Sequence, residues 1–122
     1  MPKLVREVMS SEVYRVDPET PVAEVVAQMY QHKIGAVIVG REPEPAGIFT
    51  ERDLLNRVVA MGTDPKTLPV SAVMTAKLMG ISPDAAVEVA AILMHKRGFR
   101  HLPVLENGAL AGILSVRDVL RA

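Results

Sequence analysis

Thr50, Asp53, Ser115 and Asp118 are the residues whose types and spacing could do chemistry in this chain. They stand in two copies of one motif, Gly47-Ile48-Phe49-Thr50-Glu51-Arg52-Asp53 and Gly112-Ile113-Leu114-Ser115-Val116-Arg117-Asp118. In each, a glycine and an apolar stretch lead to a hydroxyl, and a carboxylate follows three residues later. If the stretch is a strand running into a helix, the free N–H groups and positive dipole end of that helix suit a phosphate. The hydroxyl can join that phosphate, and the carboxylate can accept two hydrogen bonds from a ribose diol. The same atoms have an inward use. Thr50 and Ser115 as N-caps, with Asp53 and Asp118 replacing the usual Glu or Gln, form a near capping box. The motif alone leaves both uses open.

The elements that must position these residues are read from the repeat. Gly47 and Gly112 stand 65 residues apart, and the same offset pairs Val8-Met9-Ser10 with Val73-Met74-Thr75, Asp17-Pro18 with Ser82-Pro83, Val22 with Val87, Met29 with Met94 and Val39 with Val104. No gap is needed, so the chain is read as two copies of one supersecondary unit. Its 122 residues suffice for one domain and not for two independent ones. The copies are therefore expected to share a core, as residues 1–62, a linker 63–69 and residues 70–122.

Lys3 to Met9 reads as a lead-in of one or two helical turns, and Val13, Tyr14 and Val16 as a brief strand stopped by Asp17-Pro18. Thr20-Pro21 then opens a helix, Thr as N-cap and Pro at the first helical position, with Val22, Val25, Val26 and Met29 on one face. Ile34 to Val39 is a short apolar run expected to be a strand buried on both faces. The connector Arg41-Glu42-Pro43-Glu44-Pro45 reads as a hairpin loop, with Ala46 to Phe49 the returning strand. Leu54, Leu55, Val58 and Val59 form the apolar stripe of a second helix ending near Gly62. In the second copy the first strand is Leu78 to Ile81. Its helix is capped near Ser82 and carries Val87, Ala90, Ala91 and Met94, its hairpin turns at Glu106-Asn107-Gly108, and Asp118 to Ala122 begins its last helix. Each copy thus reads strand, helix, strand, strand, helix.

Composition narrows the function. Formal net charge is zero and no run is strongly basic, which argues against a large nucleic-acid footprint or a charged membrane surface. Without cysteine there are no disulfides, thiolate metal sites or cysteine nucleophiles. No apolar run approaches the ~20 residues that span a bilayer, and Met1 to Glu7 lacks a signal-peptide core. The expectation is a soluble cytoplasmic protein.

The two motifs, the Val-Met-Ser/Thr lead-ins and Phe99-Arg100-His101-Leu102-Pro103-Val104 together resemble a tandem pair of cystathionine-β-synthase-type (CBS) domains, over essentially the whole chain from about Val5. The resemblance implies an α+β fold of two βαββα repeats packed through their sheets about a pseudo-twofold axis, a Bateman module. It further implies two clefts between the repeats for adenosine ligands such as AMP, ADP, ATP or S-adenosylmethionine. One cleft would use Ile48, Thr50, Arg52, Asp53 and Thr75 with Phe99, Arg100 and His101. The other would use Ser10, Ile34, Gly35, Ala36, Ile113, Ser115, Arg117 and Asp118. Asp would hold ribose hydroxyls, Thr or Ser ribose or phosphate, the backbone near Phe99 or Ile34 the adenine edge, and basic residues the phosphate. The first cleft is preferred, since Arg100 and His101 replace Gly35 and Ala36.

The resemblance implies regulation of a partner rather than catalysis, with AMP, ADP or ATP as ligand and a homodimer as the assembly. The alternatives are a dimerisation scaffold with empty clefts or an S-adenosylmethionine sensor. A nucleotide hydrolase is disfavoured, because no activated nucleophile, phosphate loop, dinucleotide pattern or metal set is present. His32 and His95 read as cations complementing helix C-termini, His101 as strand decoration or a phosphate contact, the methionines as core, and Asp17, Glu19, Glu42 and Glu44 as loop residues.

Overall fold

The computed structural model describes residues 2–41, 43, 45–76 and 78–122. Met1, Glu42 and Glu44, on which parts of the sequence reading fall, lie outside the described residues. In chain order the elements are α1 (Val5–Val8), β1 (Arg15–Val16), α2 (Val22–His32), β2 (Ala36–Val39), β3 (Gly47–Thr50) and α3 (Glu51–Asp53), which widens into a π-helical stretch (Leu54–Val59). A 3-10 turn (Val70–Ala72), α4 (Val87–Arg97), β4 (His101–Glu106), β5 (Ala109–Ser115) and α5 (Val116–Arg121) follow. Among the described residues no helix is long and apolar enough to cross a membrane.

The chain divides into two compact units that do not coincide with the repeats. One is Tyr14–Leu78; the other joins Met79–Ala122 to the segment before Tyr14. In the first unit β1 runs parallel to β2, and β2 antiparallel to β3. All four residues of β2 are buried, as a strand covered on both faces requires. Val22, Val25 and Met29 of α2 close over this sheet with Val16, Val37, Val39 and Phe49. In the second unit β4 and β5 form a hairpin whose tight turn puts Asn107 and Gly108 at φ of 54° and 82°, the left-handed pair such a turn needs. Ala90 and Met94 of α4 pack on Leu102, Val104 and Leu114 there.

The lead-ins explain the mismatch between units and repeats. Thr75 and Ile48 exchange both backbone hydrogen bonds, at 2.8 and 3.0 Å, so the lead-in of the second repeat adds an edge to the sheet of the first. Ser10 and Ile113 do the same in the other unit, at 2.9 Å each. The register repeats along both lead-ins. Val70 donates to Thr20 and Ser71 to Pro18, just as Val5 donates to Ala85 and Arg6 to Pro83. Each lead-in is thus carried by one repeat and docked on the body of the other. Val5 and Val70, at matching positions, are both fully buried; each such side chain contributes about 1.5–3 kcal/mol to the docking.

This exchange corrects two helix starts. Thr20 makes no side-chain cap; Pro21 stays extended, the helix begins at Val22, and its first N–H groups go to Leu68 and Pro65 carbonyls. Main-chain acceptors delivered by residues 65–68 take the place of the expected hydroxyl. Ser82 likewise caps only a turn, holding the Asp84 N–H, and the helix starts at Val87, whose N–H is taken by Lys3.

Two further expectations change. The strand Leu78 to Ile81 shrinks to a single parallel bridge of Ile81 with Val104, because Ser82-Pro83 turns the chain at once. Of the apolar stripe after Asp53, Val58 is buried and Leu54 partly so, while Leu55 and Val59 are exposed. The wider π turn, closed by the Ala60 N–H on Leu55 O, departs from the 3.6-residue spacing on which the stripe was read.

Candidate functional site

Both motifs end a strand and open a helix. Thr50 is the last residue of β3 and the N-cap of α3; Ser115 is the last residue of β5 and the N-cap of α5. Both capping boxes form. The Asp53 N–H donates to Thr50 Oγ1 at 3.3 Å and the Thr50 N–H to Asp53 Oδ2 at 3.0 Å. The Asp118 N–H donates to Ser115 Oγ at 3.1 Å and the Ser115 N–H to Asp118 Oδ2 at 2.8 Å. Each motif glycine lets a lead-in approach. A Cβ on Gly47 would meet Met74 and the Thr75 carbonyl oxygen, and one on Gly112 would meet Met9 and the Ser10 carbonyl oxygen.

The helix starts offer a phosphate fewer donors than the motif suggested. The Glu51 N–H already bonds Gly35 O at 3.1 Å, and the Val116 N–H bonds Arg100 O at 2.9 Å. With Asp53 and Asp118 N–H groups on the caps, two of the first three N–H groups in each helix are spoken for.

Beyond the caps the two carboxylates differ. Asp53 is the one buried charged side chain among the described residues. Its Oδ2 accepts from both Thr50 N–H and Thr50 Oγ1, the latter at 3.2 Å. Its Oδ1 accepts from Thr75 Oγ1 at 3.3 Å and faces Arg57 Nε at 3.6 Å. A carboxylate has about four acceptor positions; three take these hydrogen bonds, and Arg57 adds an ion pair. Burial requires such pairing, because an unpaired carboxylate out of water is costly. Asp118 is only partly buried, and its hydrogen bonds among the described residues are the two with Ser115. Ser10, which stands where the first motif has Thr75, turns its hydroxyl to Glu12 O at 3.2 Å instead.

The structure brings Ile48, Thr50, Asp53 and Thr75 together in one unit and Ser10, Ile113, Ser115 and Asp118 in the other. Gly35 and Ala36 lie beside Thr50, Ala36 as its ladder partner, and Ile34 packs on that unit's core. Arg100 and His101 lie beside Ser115, His101 as its ladder partner, and Phe99 follows α4 in the same unit. Arg52 and Arg117 are exposed next to the two carboxylates. Arg57 was missed, although its position four residues after Asp53 is a spacing at which helical charges meet; its Nη1 also donates to Met74 O at 2.9 Å. His32, read as a helix-end cation, also stacks on Tyr14 with ring centroids 4.2 Å apart. Among the described residues no cluster of His, Cys, Asp and Glu could hold a metal.

Known proteins match this architecture. The CBS-domain family model matches residues 5–60 and again 70–122. A CBS domain-containing protein of Bacillus subtilis is 34% identical over 115 residues, covering 94% of this chain and 81% of its own. Among solved structures, a CBS-domain protein of Agrobacterium tumefaciens superposes with a TM-score of 0.90 at 34% identity, over 98% of both chains. A hexameric CBS-CP12 protein from bloom-forming cyanobacteria does so with a TM-score of 0.89 at 32% identity, over 99% of this chain and 72% of that one. With two family matches spanning nearly all of its length, the chain belongs to the CBS-domain family, as a tandem pair of repeats.

Proposed function

We propose that this CBS pair is an adenine-nucleotide sensor, which binds AMP, ADP or ATP and passes occupancy to a regulated protein or to a second copy of itself. CBS pairs are in general regulatory, ligand-binding modules rather than catalysts. The observation that carries the nucleotide reading is the Ser115–Asp118 pair. A ribose diol needs a carboxylate with acceptor capacity to spare, and Asp118 spends one of its oxygens on its cap while remaining partly exposed. Arg100 and Arg117 belong to the same unit and supply cations for a phosphate, with the His101 ring as a further hydrogen-bonding group. Thr50 and Asp53, with Ile48 and Thr75, form the second candidate, whose polar atoms are turned on one another. The reading sets the protein in the cytoplasm, where these nucleotides are abundant.

A dimerisation scaffold is the second reading. It draws on Leu55, Val59 and Met61, all exposed on the helix after Asp53 and the turn that follows, and on the inward bonding of Asp53. The two readings separate in titration calorimetry with AMP, ADP, ATP and S-adenosylmethionine. Saturable binding of an adenine nucleotide that disappears in Asp118→Ala establishes the sensor, and S-adenosylmethionine binding alone changes the ligand. No heat and no thermal stabilisation with any of the four leaves the scaffold, since a ligand at 100 times its Kd adds about 2.7 kcal/mol.

A further inference from the structure

We propose that Asp53, Thr75 and Arg57 form an internal clasp that closes the lead-in of the second repeat onto the first, so that Asp53 is a positioning residue of the fold. The two motifs then differ in role although they match in sequence.

Three observations carry this. First, Asp53 Oδ1 receives Thr75 Oγ1 at 3.3 Å, and Thr75 is the residue whose backbone closes the sheet edge on Ile48. One side chain therefore ties the helix start of the first repeat to the lead-in of the second. Second, Arg57 bridges the same two parts, with Nε 3.6 Å from Asp53 Oδ1 and Nη1 donating to Met74 O at 2.9 Å. The carboxylate is buried and the guanidinium half exposed, so the pair is screened less than a surface ion pair. Third, the arrangement is absent from the matching motif. Ala122 stands at the position corresponding to Arg57, and the Ser10 hydroxyl bonds Glu12 O rather than Asp118. The other lead-in has a different tie, at its opposite end. Arg6 donates to Asp84 at 2.8 Å and to Glu106 at 3.2 Å, and these carboxylates, Asp84 first, raise its pKa.

The clasp acts on a defined pair of amides, Ile48 and Thr75, which hydrogen-bond each other's carbonyls. Hydrogen exchange at these two amides therefore reads its opening, and the Ser10 and Ile113 amides serve as the internal control. In Thr75→Val and Arg57→Met, Ile48 and Thr75 are expected to exchange about tenfold faster, as the loss of a hydrogen bond to a charged group implies. Ser10 and Ile113 stay at their wild-type rates, and Thr75→Ser keeps the wild-type rate throughout. Arg57 is half exposed and both replacements preserve side-chain bulk, so the variants test the clasp without emptying a core position. Unchanged exchange at Ile48 and Thr75 in both variants overturns the proposal, as does an equal acceleration of these amides in Asp118→Asn.

A second arm rests on the nucleotide reading above. With Asp53 engaged internally, titration should saturate at one nucleotide per chain and fail in Asp118→Asn. Two nucleotides per chain overturns the assignment of Asp53 to the fold. A complete lack of nucleotide heat refutes the sensor reading instead, and the exchange rates, measured without ligand, still decide the clasp.

Discussion

A Cβ on Gly47 would stand 2.8 Å from the carbonyl oxygen of Thr75, so the lead-in of the second repeat lies against the main chain of the first with no space for a side chain. Gly112 stands in the same relation to Ser10, at 2.6 Å. The motif glycine therefore answers to chain packing. In both cases the obstacle includes backbone, which cannot swing aside as a long side chain can.

Gly47→Ala and Gly112→Ala are accordingly expected to lower stability by about 1–3 kcal/mol each, the range for forcing extra volume into a filled site. Urea denaturation followed by circular dichroism measures this. Wild-type midpoints in both variants would show that the lead-ins yield.

Val5 and Val70 are fully buried at matching places in the two units. Val5→Ala and Val70→Ala should each cost about 2 kcal/mol, from lost burial and the space left behind. Val59→Ala, at a site 64% exposed, should stay within about 0.5 kcal/mol of wild type. Thermal unfolding of the three variants ranks them, and an equal effect at all three would mean that the lead-ins are not part of either core.

Thr50→Ala and Ser115→Ala each remove a side-chain cap, worth about 1 kcal/mol. Thr50→Ala should cost more than Ser115→Ala, because Thr50 Oγ1 also donates to the buried Asp53 carboxylate, whereas Asp118 is partly exposed. Chemical denaturation of the pair gives the order, and the reverse order would place the more demanding cap in the second motif.

Leu55 is 60% exposed and stands beside Val59 and Met61 in the same stretch of chain. If these residues join two copies of the chain, Leu55→Glu should convert a dimer into a monomer in sedimentation velocity with the circular dichroism spectrum unchanged. A monomeric wild-type protein would remove self-association as the output of the module.

Much of the fold was legible because the offset of 65 residues makes each element testify twice. The buried run Ala36–Val39, the Asn107-Gly108 hairpin and both capping boxes follow from residue types acting locally. The exchange of lead-ins was legible only through the family resemblance, which set Thr75 with Ile48, Thr50 and Asp53, and Ser10 with Ile113, Ser115 and Asp118. A repeat aligns Ser10 with Thr75 but is silent on which body each one joins, since both bodies offer the same edge. The Thr20 and Ser82 caps failed for a related reason: the acceptors that start these helices, Leu68 and Lys3, come from far along the chain. In the candidate site the hydroxyls and carboxylates were visible at once, whereas the difference between Asp53 and Asp118 depends on Arg57 and Thr75, outside the shared motif.

The exchanged lead-ins bear on what half of this protein could be. A polypeptide ending before Pro65 would hold one body and a lead-in shaped for a different body, leaving a sheet edge unpaired and the start of α2 without its Leu68 and Pro65 acceptors. Two such halves would restore the edge and one of the two acceptors by trading their first ten or so residues, Ser10 standing in for Thr75 and Lys3 for Leu68. The two-repeat chain is thus a tethered form of a swap that a single repeat would complete only with another molecule.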